Sequence, residues 1–156
     1  MRVHLGTDHA GFEFKEALAK HLSEIGHDVV DHGATDYDAQ DDYPAFCIAA
    51  GLGVVSDREA GVNALGVVIG GSGNGEQIAA NKVSGVRAAL AWNIDTAKLG
   101  RQHNDANVVA VGSRQHSEAE ALSIVDAFLA EEFSAEPRHQ RRIDVISKYE
   151  SDRVAP

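Results

Sequence analysis

The chain has 156 residues, 14 basic against 24 acidic side chains, a net charge of −10 and a pI near 5.1. That length fits one domain burying roughly two-thirds of its unfolded surface, and the acidity argues against a nucleic-acid or anionic-membrane surface, since either needs a positive field. No apolar run approaches the ~20 residues of a membrane span, the start MRVHLGTDHAG lacks a signal-peptide pattern, and the single cysteine, Cys47, precludes an internal disulfide, so a cytoplasmic protein is expected.

Short β-rich apolar runs alternate with helical patterns, which predicts a parallel α/β sheet. The first strand is expected over residues 3–6 as the central strand. It is followed by the loop Thr7-Asp8-His9-Ala10-Gly11 and a helix with the stripe Phe14, Leu18, Leu22, Ile25, ended by Gly26. A short strand over residues 28–32 leads into an aspartate-rich loop, 33–42. Pro44 suits a first helical position, and residues 45–55 read as a helix weakened by Gly51 and Gly53, with a loop over 56–64. The run 65–69 is continuous and apolar, as a strand buried on both faces should be.

A helix is expected from about Gly75, a strand over 87–91, a helix over 94–102 and a strand over 107–111. Ser117 and Glu120 form a capping-box pattern for a helix with the stripe Leu122, Val125, Phe128, Leu129. A last helix, about 137–149, follows with no strand between. The expected fold is a single-domain, doubly wound, Rossmann-like three-layer α/β unit of five parallel strands plus one extra C-terminal helix.

The segment VVIGGSGNGEQIAANK places four glycines, Gly70, Gly71, Gly73 and Gly75, within six positions between a strand and a helix. Loops after parallel strands meet at one sheet edge, where ligands bind. Backbone N–H groups without Cβ atoms in the way, beside a helix N-terminus, suit an oxyanion. The familiar glycine motifs fail: there is no Gly-Lys-Ser/Thr ending, Glu76 stands where a dinucleotide loop needs its third glycine, and Asn74 breaks the nucleophile-elbow pattern. Glu76 itself has two readings. Acids are favoured in any first helical turn by the macrodipole, and Asn74 with Gln77 resembles a cap. Alternatively, an ionised carboxylate beside an oxyanion nest suits proton abstraction from carbon.

Five segments in order, LGTDHAGFEFK, DDYPAF, GGSGNGEQIAANKV, the HND turn and PRHQRRID, resemble the ribose/galactose isomerase family through nearly the whole chain. The resemblance implies interconversion of an aldose phosphate and a ketose phosphate through an enediolate, without metal or organic cofactor, in dimers or tetramers of dimers. It points to ribose 5-phosphate and ribulose 5-phosphate. A phosphohexose such as galactose 6-phosphate or allose 6-phosphate is the alternative, and a non-catalytic sugar-phosphate or nucleotide-binding module a further one. Many members carry a catalytic cysteine where this chain has Gly70, and Cys47 is expected well away in the second helix. The chain is therefore similar to the branch that uses a glutamate at the helix start, which gives Glu76 the role of base.

By the same likeness, Asp8 handles hydroxyl protons, His9 approaches the phosphate, and Ser72 joins Gly71, Gly73, Asn74 and Gly75 around the enediolate. Each also has a plain structural reading: Asp8 as a cap, Ser72 as a turn serine, Tyr43 as a partly buried tyrosine and not a pocket wall. His103 and Asn104 end the fourth helix, which runs toward the sheet's opposite edge, so they should not reach the glycine loop of their own subunit. A histidine there also complements the helix dipole, while the resemblance assigns it to sugar-ring opening. Both hold if His103 serves a partner's site, so a homodimer, or a tetramer, with shared sites is expected. Arg138 and Arg142 share a helix face and, with Arg114, are the phosphate candidates, although exposed charge is the default for such residues. His139 and Arg141 are expected to point elsewhere. Ile143, Ile146 and Tyr149 are expected to pack on a neighbouring subunit. The remaining histidines form no metal-ligand pattern.

Overall fold

Runs rich in valine, leucine and alanine form the strands of the computed structural model, which describes residues 1–154. The strands β1 (Arg2–Thr7), β2 (Asp28–Asp31), β3 (Ala64–Gly70), β4 (Ala88–Leu90) and β5 (Val108–Gly112) form one parallel sheet. Their order is β2-β1-β3-β5-β4. The central strand is thus β3, not β1 as expected, because only β2 lies outside β1 whereas both β5 and β4 lie beyond β3. The sequence ALGVVIG of β3 is buried throughout, since it has paired strands on both sides and helices on both faces.

Alternation along the strands divides the core in two. Val3, Leu5, Leu65, Val67, Ile69, Val109 and Val111 face α1 (Phe12–Glu24), α4 (Ile94–Asn104) and α5 (Glu118–Ala130). Val68, Val108 and Ala110 face α2 (Tyr43–Glu59) and α3 (Asn74–Ala80). The doubly wound, three-layer expectation therefore holds. In α1 the stripe Phe14, Leu18 and Leu22 is buried, whereas Ile25 lies just beyond the helix end and is exposed. Lys15, on the same helix, is fully buried; its Nζ donates to Asp31 Oδ2 (2.5 Å) and to the Ala34 carbonyl (2.6 Å), tying down the start of the aspartate-rich loop.

Helix α2 runs four residues past the expected end, so Ser56–Glu59 are helical and not loop. The helix runs unbroken through its two glycines, where close neighbours leave little room for a side chain: Gly51 faces Val83 and Val86, and Gly53 faces the buried His4. The capping box at Ser117 and Glu120 is present.

The extra helix α6 (Pro137–Asp152) packs on α4. Its Ile143 is buried within this chain, correcting the expectation that it serves a neighbour, while Ile146 and Tyr149 are exposed. No helix among the described residues is long and apolar enough to cross a membrane.

Candidate active site at the C-terminal sheet edge

Three loops meet beyond the strand ends. Thr7 Oγ1 donates to the Ile69 carbonyl (2.8 Å), joining the β1 exit to the β3 exit. Ser113 N donates to the Gly70 carbonyl (2.8 Å), while Ser113 Oγ donates to the Ala10 carbonyl (2.7 Å) and lies 3.1 Å from that of Gly70. Ser113 therefore fastens all three loops; its role depends on residues 43 and 103 positions away, which no local pattern announces.

Around this junction lies a cavity of about 570 Å³ lined by Asp8, His9, Tyr43, Gly71, Ser72, Gly75, Glu76 and Arg114, together with Ala10 and Gln115. Most of the residues expected at the site are thus brought together, and Gln115 joins them unforeseen. Gly73 takes φ +82°, a left-handed conformation that glycine adopts without strain, and precedes α3 as its cap. The cap has no side-chain hydrogen bond, so the cap-like reading of Asn74 with Gln77 is incorrect. Asn74 is instead the first residue of the helix, and its Nδ2 and backbone N lie 3.2 and 3.4 Å from Ser72 Oγ.

Glu76, in the first turn of α3, is 5 % exposed. Burial raises its pKa above the usual value, the negative charge of Asp8 adds to the rise, and backbone hydrogen bonds oppose it. Such a carboxylate is a stronger base than one in water. Room for it comes from Gly70, where any Cβ would overlap the carboxylate. Asp8 is also buried, and its Oδ1 accepts from Ala10 N (2.9 Å), so it does act as a cap while lining the cavity.

Cys47 is nearer the site than expected. It lies buried in α2, and its thiol is pushed far above its usual range by burial first, then by the charges of Glu76 and Asp8. It is therefore held as a neutral thiol, unsuited to nucleophilic or base chemistry.

His103, Asn104, Arg138 and Arg142 do not line this cavity. They lie where α4 ends and α6 begins; α4 leads into the start of β5, whereas Glu76 lies beyond the end of β3. All four are exposed, and Arg138 Nε is paired with Glu136 Oε2 at 2.8 Å. His139, expected to point elsewhere, is buried with its ring centroid 4.3 Å from that of His103, and Ser134 Oγ is 2.8 Å from its Nδ1. Burial lowers the pKa of His139, and the neighbouring His103 and Arg138 lower it further.

Asp8, His9 and Asp41 offer atoms within 4.8 Å of one another, close enough for a cation. His9 Nδ1, however, is hydrogen-bonded to Asp41 Oδ1 at 2.7 Å.

A buried carboxylate thus lies beside a glycine-rich loop at the carboxyl edge of a doubly wound sheet, the edge at which ligands of such folds bind. The family model described as Ribose/Galactose Isomerase matches residues 3–146, and the chain belongs to that family. It is 57 % identical to ribose-5-phosphate isomerase B of Mycolicibacterium paratuberculosis, over 100 % of this chain and 96 % of the relative. It is 56 % identical to the protein of the same name from Mycobacterium tuberculosis, over 100 % and 94 %. Among solved structures, ribose-5-phosphate isomerase B of Mycoplasma genitalium with bound ribulose-5-phosphate matches with a TM-score of 0.89 and 40 % identity, over 97 % of each chain.

Proposed function

We propose that this chain is an aldose–ketose isomerase that interconverts ribose 5-phosphate and ribulose 5-phosphate, with Glu76 as the base. The observation that carries the reading is a buried carboxylate, raised in basicity, filling the space left by Gly70 beside the glycine nest.

Glu76 removes the proton from C2 of the open-chain aldose, leaving an enediolate, and returns it to C1. Asp8 moves the hydroxyl proton between O2 and O1, so the ketose forms with no net gain or loss. Ser72 and the loop N–H groups of Gly71, Gly73, Asn74 and Gly75 hold the enediolate; a single donor of this kind is worth about 3–4 kcal/mol. His9 and Arg114 hold the phosphate end, and Tyr43 walls the pocket.

The exposed group His103, Asn104, Arg138 and Arg142 completes the site of a second copy of the chain, with His103 opening the sugar ring and the arginines grasping the phosphate. Support comes from their exposure and from the weak hold of the surface pair Arg138–Glu136. A coupled assay with ribose 5-phosphate, galactose 6-phosphate and allose 6-phosphate tests the substrate. Turnover of the pentose phosphate well above both hexose phosphates is expected, and a preference for a hexose phosphate would displace the reading.

A further inference from the structure

The aspartate-rich loop holds one carboxylate unlike its neighbours. Asp38 Oδ1 accepts from Gln40 N and so stabilises its own turn. Asp41 does not. Its Oδ1 accepts from two groups of one distant residue, His9 N (3.0 Å) and His9 Nδ1 (2.7 Å), 32 positions away. Its Oδ2 is buried with no partner among the described residues. The bonding of this side chain is directed entirely at His9.

A carboxylate accepts and does not donate, so His9 Nδ1 must carry a hydrogen. Nε2 is then the open nitrogen of a ring that lines the cavity with Glu76 and Arg114. The ring stands nearly perpendicular to that of Tyr37 (centroids 6.3 Å apart, planes at 84°). The other charged groups facing the two cavities that share His9 are Asp8, Glu13, Glu118 and His116, and none of them is hydrogen-bonded to its ring.

We propose that Asp41 is a positioning residue that locks His9 with Nδ1 protonated and Nε2 turned into the cavity, where the ring takes up a second proton together with the substrate's phosphate and Nε2–H donates to a phosphate oxygen. The phosphate contact rests on the isomerase reading above; the locking of the ring does not. Asp41 acts through His9, and its removal weakens substrate binding more than turnover.

The test compares Asp41→Ala and Asp41→Asn in the full-length protein. Ring ¹⁵N spectra, with His9 assigned through a His9→Gln variant, report the tautomer directly. In the substrate-free protein with the ring neutral, the expected result is the Nδ1–H form in the parent and in Asp41→Asn, whose amide oxygen still accepts, and its loss in Asp41→Ala. Asp41→Ala should raise KM about tenfold with kcat within about twofold, and Asp41→Asn should restore most of the affinity. An unchanged His9 tautomer in Asp41→Ala, or an unchanged KM, overturns the proposal. Absence of pentose-phosphate turnover in the parent would sink the isomerase reading instead, leaving the tautomer comparison to stand or fall by itself.

Discussion

A Cβ built on Gly70 would lie 2.0 Å from the carboxyl carbon of Glu76. Position 70 can hold a side chain, or position 76 can hold a buried carboxylate aimed into the site; this backbone does not accommodate both. The family resemblance places a cysteine at position 70 in many members, so the two arrangements exclude each other sterically. The glycine is as much a part of the proposed machinery as the acid.

Gly70→Ala therefore should expel the Glu76 carboxylate from its place. The expected loss in kcat/KM is at least about 10²-fold, the lower bound for a displaced general base, with a stability cost of about 1–3 kcal/mol from overpacking. Steady-state kinetics and thermal melts check both.

The raised pKa of Glu76 has a consequence for stability. A carboxyl whose folded pKa lies above its unfolded value binds protons more tightly when folded, so its contribution is complete below the unfolded value of ~4.3. That contribution is lost as pH rises through the folded value. Above it, the buried charge is a standing cost. Glu76→Gln removes the charge and should raise Tm by a few degrees at pH 8, with no gain at pH 4, while abolishing turnover. Melts across that range give the answer.

Replacing a mid-helix glycine by alanine usually stabilises a helix by about 1 kcal/mol. Gly53→Ala should do the reverse. The new methyl would lie 2.4 Å from His4 Nδ1. His4 cannot withdraw, because it is buried and bonded on both sides, to His32 Nε2 (2.8 Å) and Asp57 Oδ2 (2.9 Å). A loss of about 1–3 kcal/mol is expected by denaturant unfolding, with kcat unaffected.

If His103 serves the site of a second copy, two inactive variants should complement. Mixing Glu76→Gln with His103→Ala subunits, under conditions of proven exchange, should recover up to about a quarter of the parent activity, since one mixed-dimer site in two is intact and half the dimers are mixed. No recovery would return His103 to a purely structural place against His139.

Much of this was legible in the sequence because its signals are local. The apolar run of β3, the glycine cluster after it and the Ser117–Glu120 box each announce their structure within a few residues. What escaped depends on distant partners. The order β3-β5-β4 cannot be read from strands whose side chains are apolar on both faces, as in β3 and β5. The need for glycine at positions 51 and 53 of α2 comes from Val83, Val86 and His4, which are distant in sequence. At the site, Asp8, His9, Tyr43, Ser72, Glu76 and Arg114 share one cavity. The supporting roles of Ser113, Asp41 and His139 arise from contacts that only the folded chain creates.

The central claim is that the Glu76 carboxylate takes the proton from sugar carbon. Exchange of the C2 hydrogen of ribose 5-phosphate in heavy water measures that step alone. Exchange should proceed with the parent protein and fall to background with Glu76→Gln, although the variant still binds the sugar phosphate; exchange persisting at the parent rate in Glu76→Gln would contradict the account.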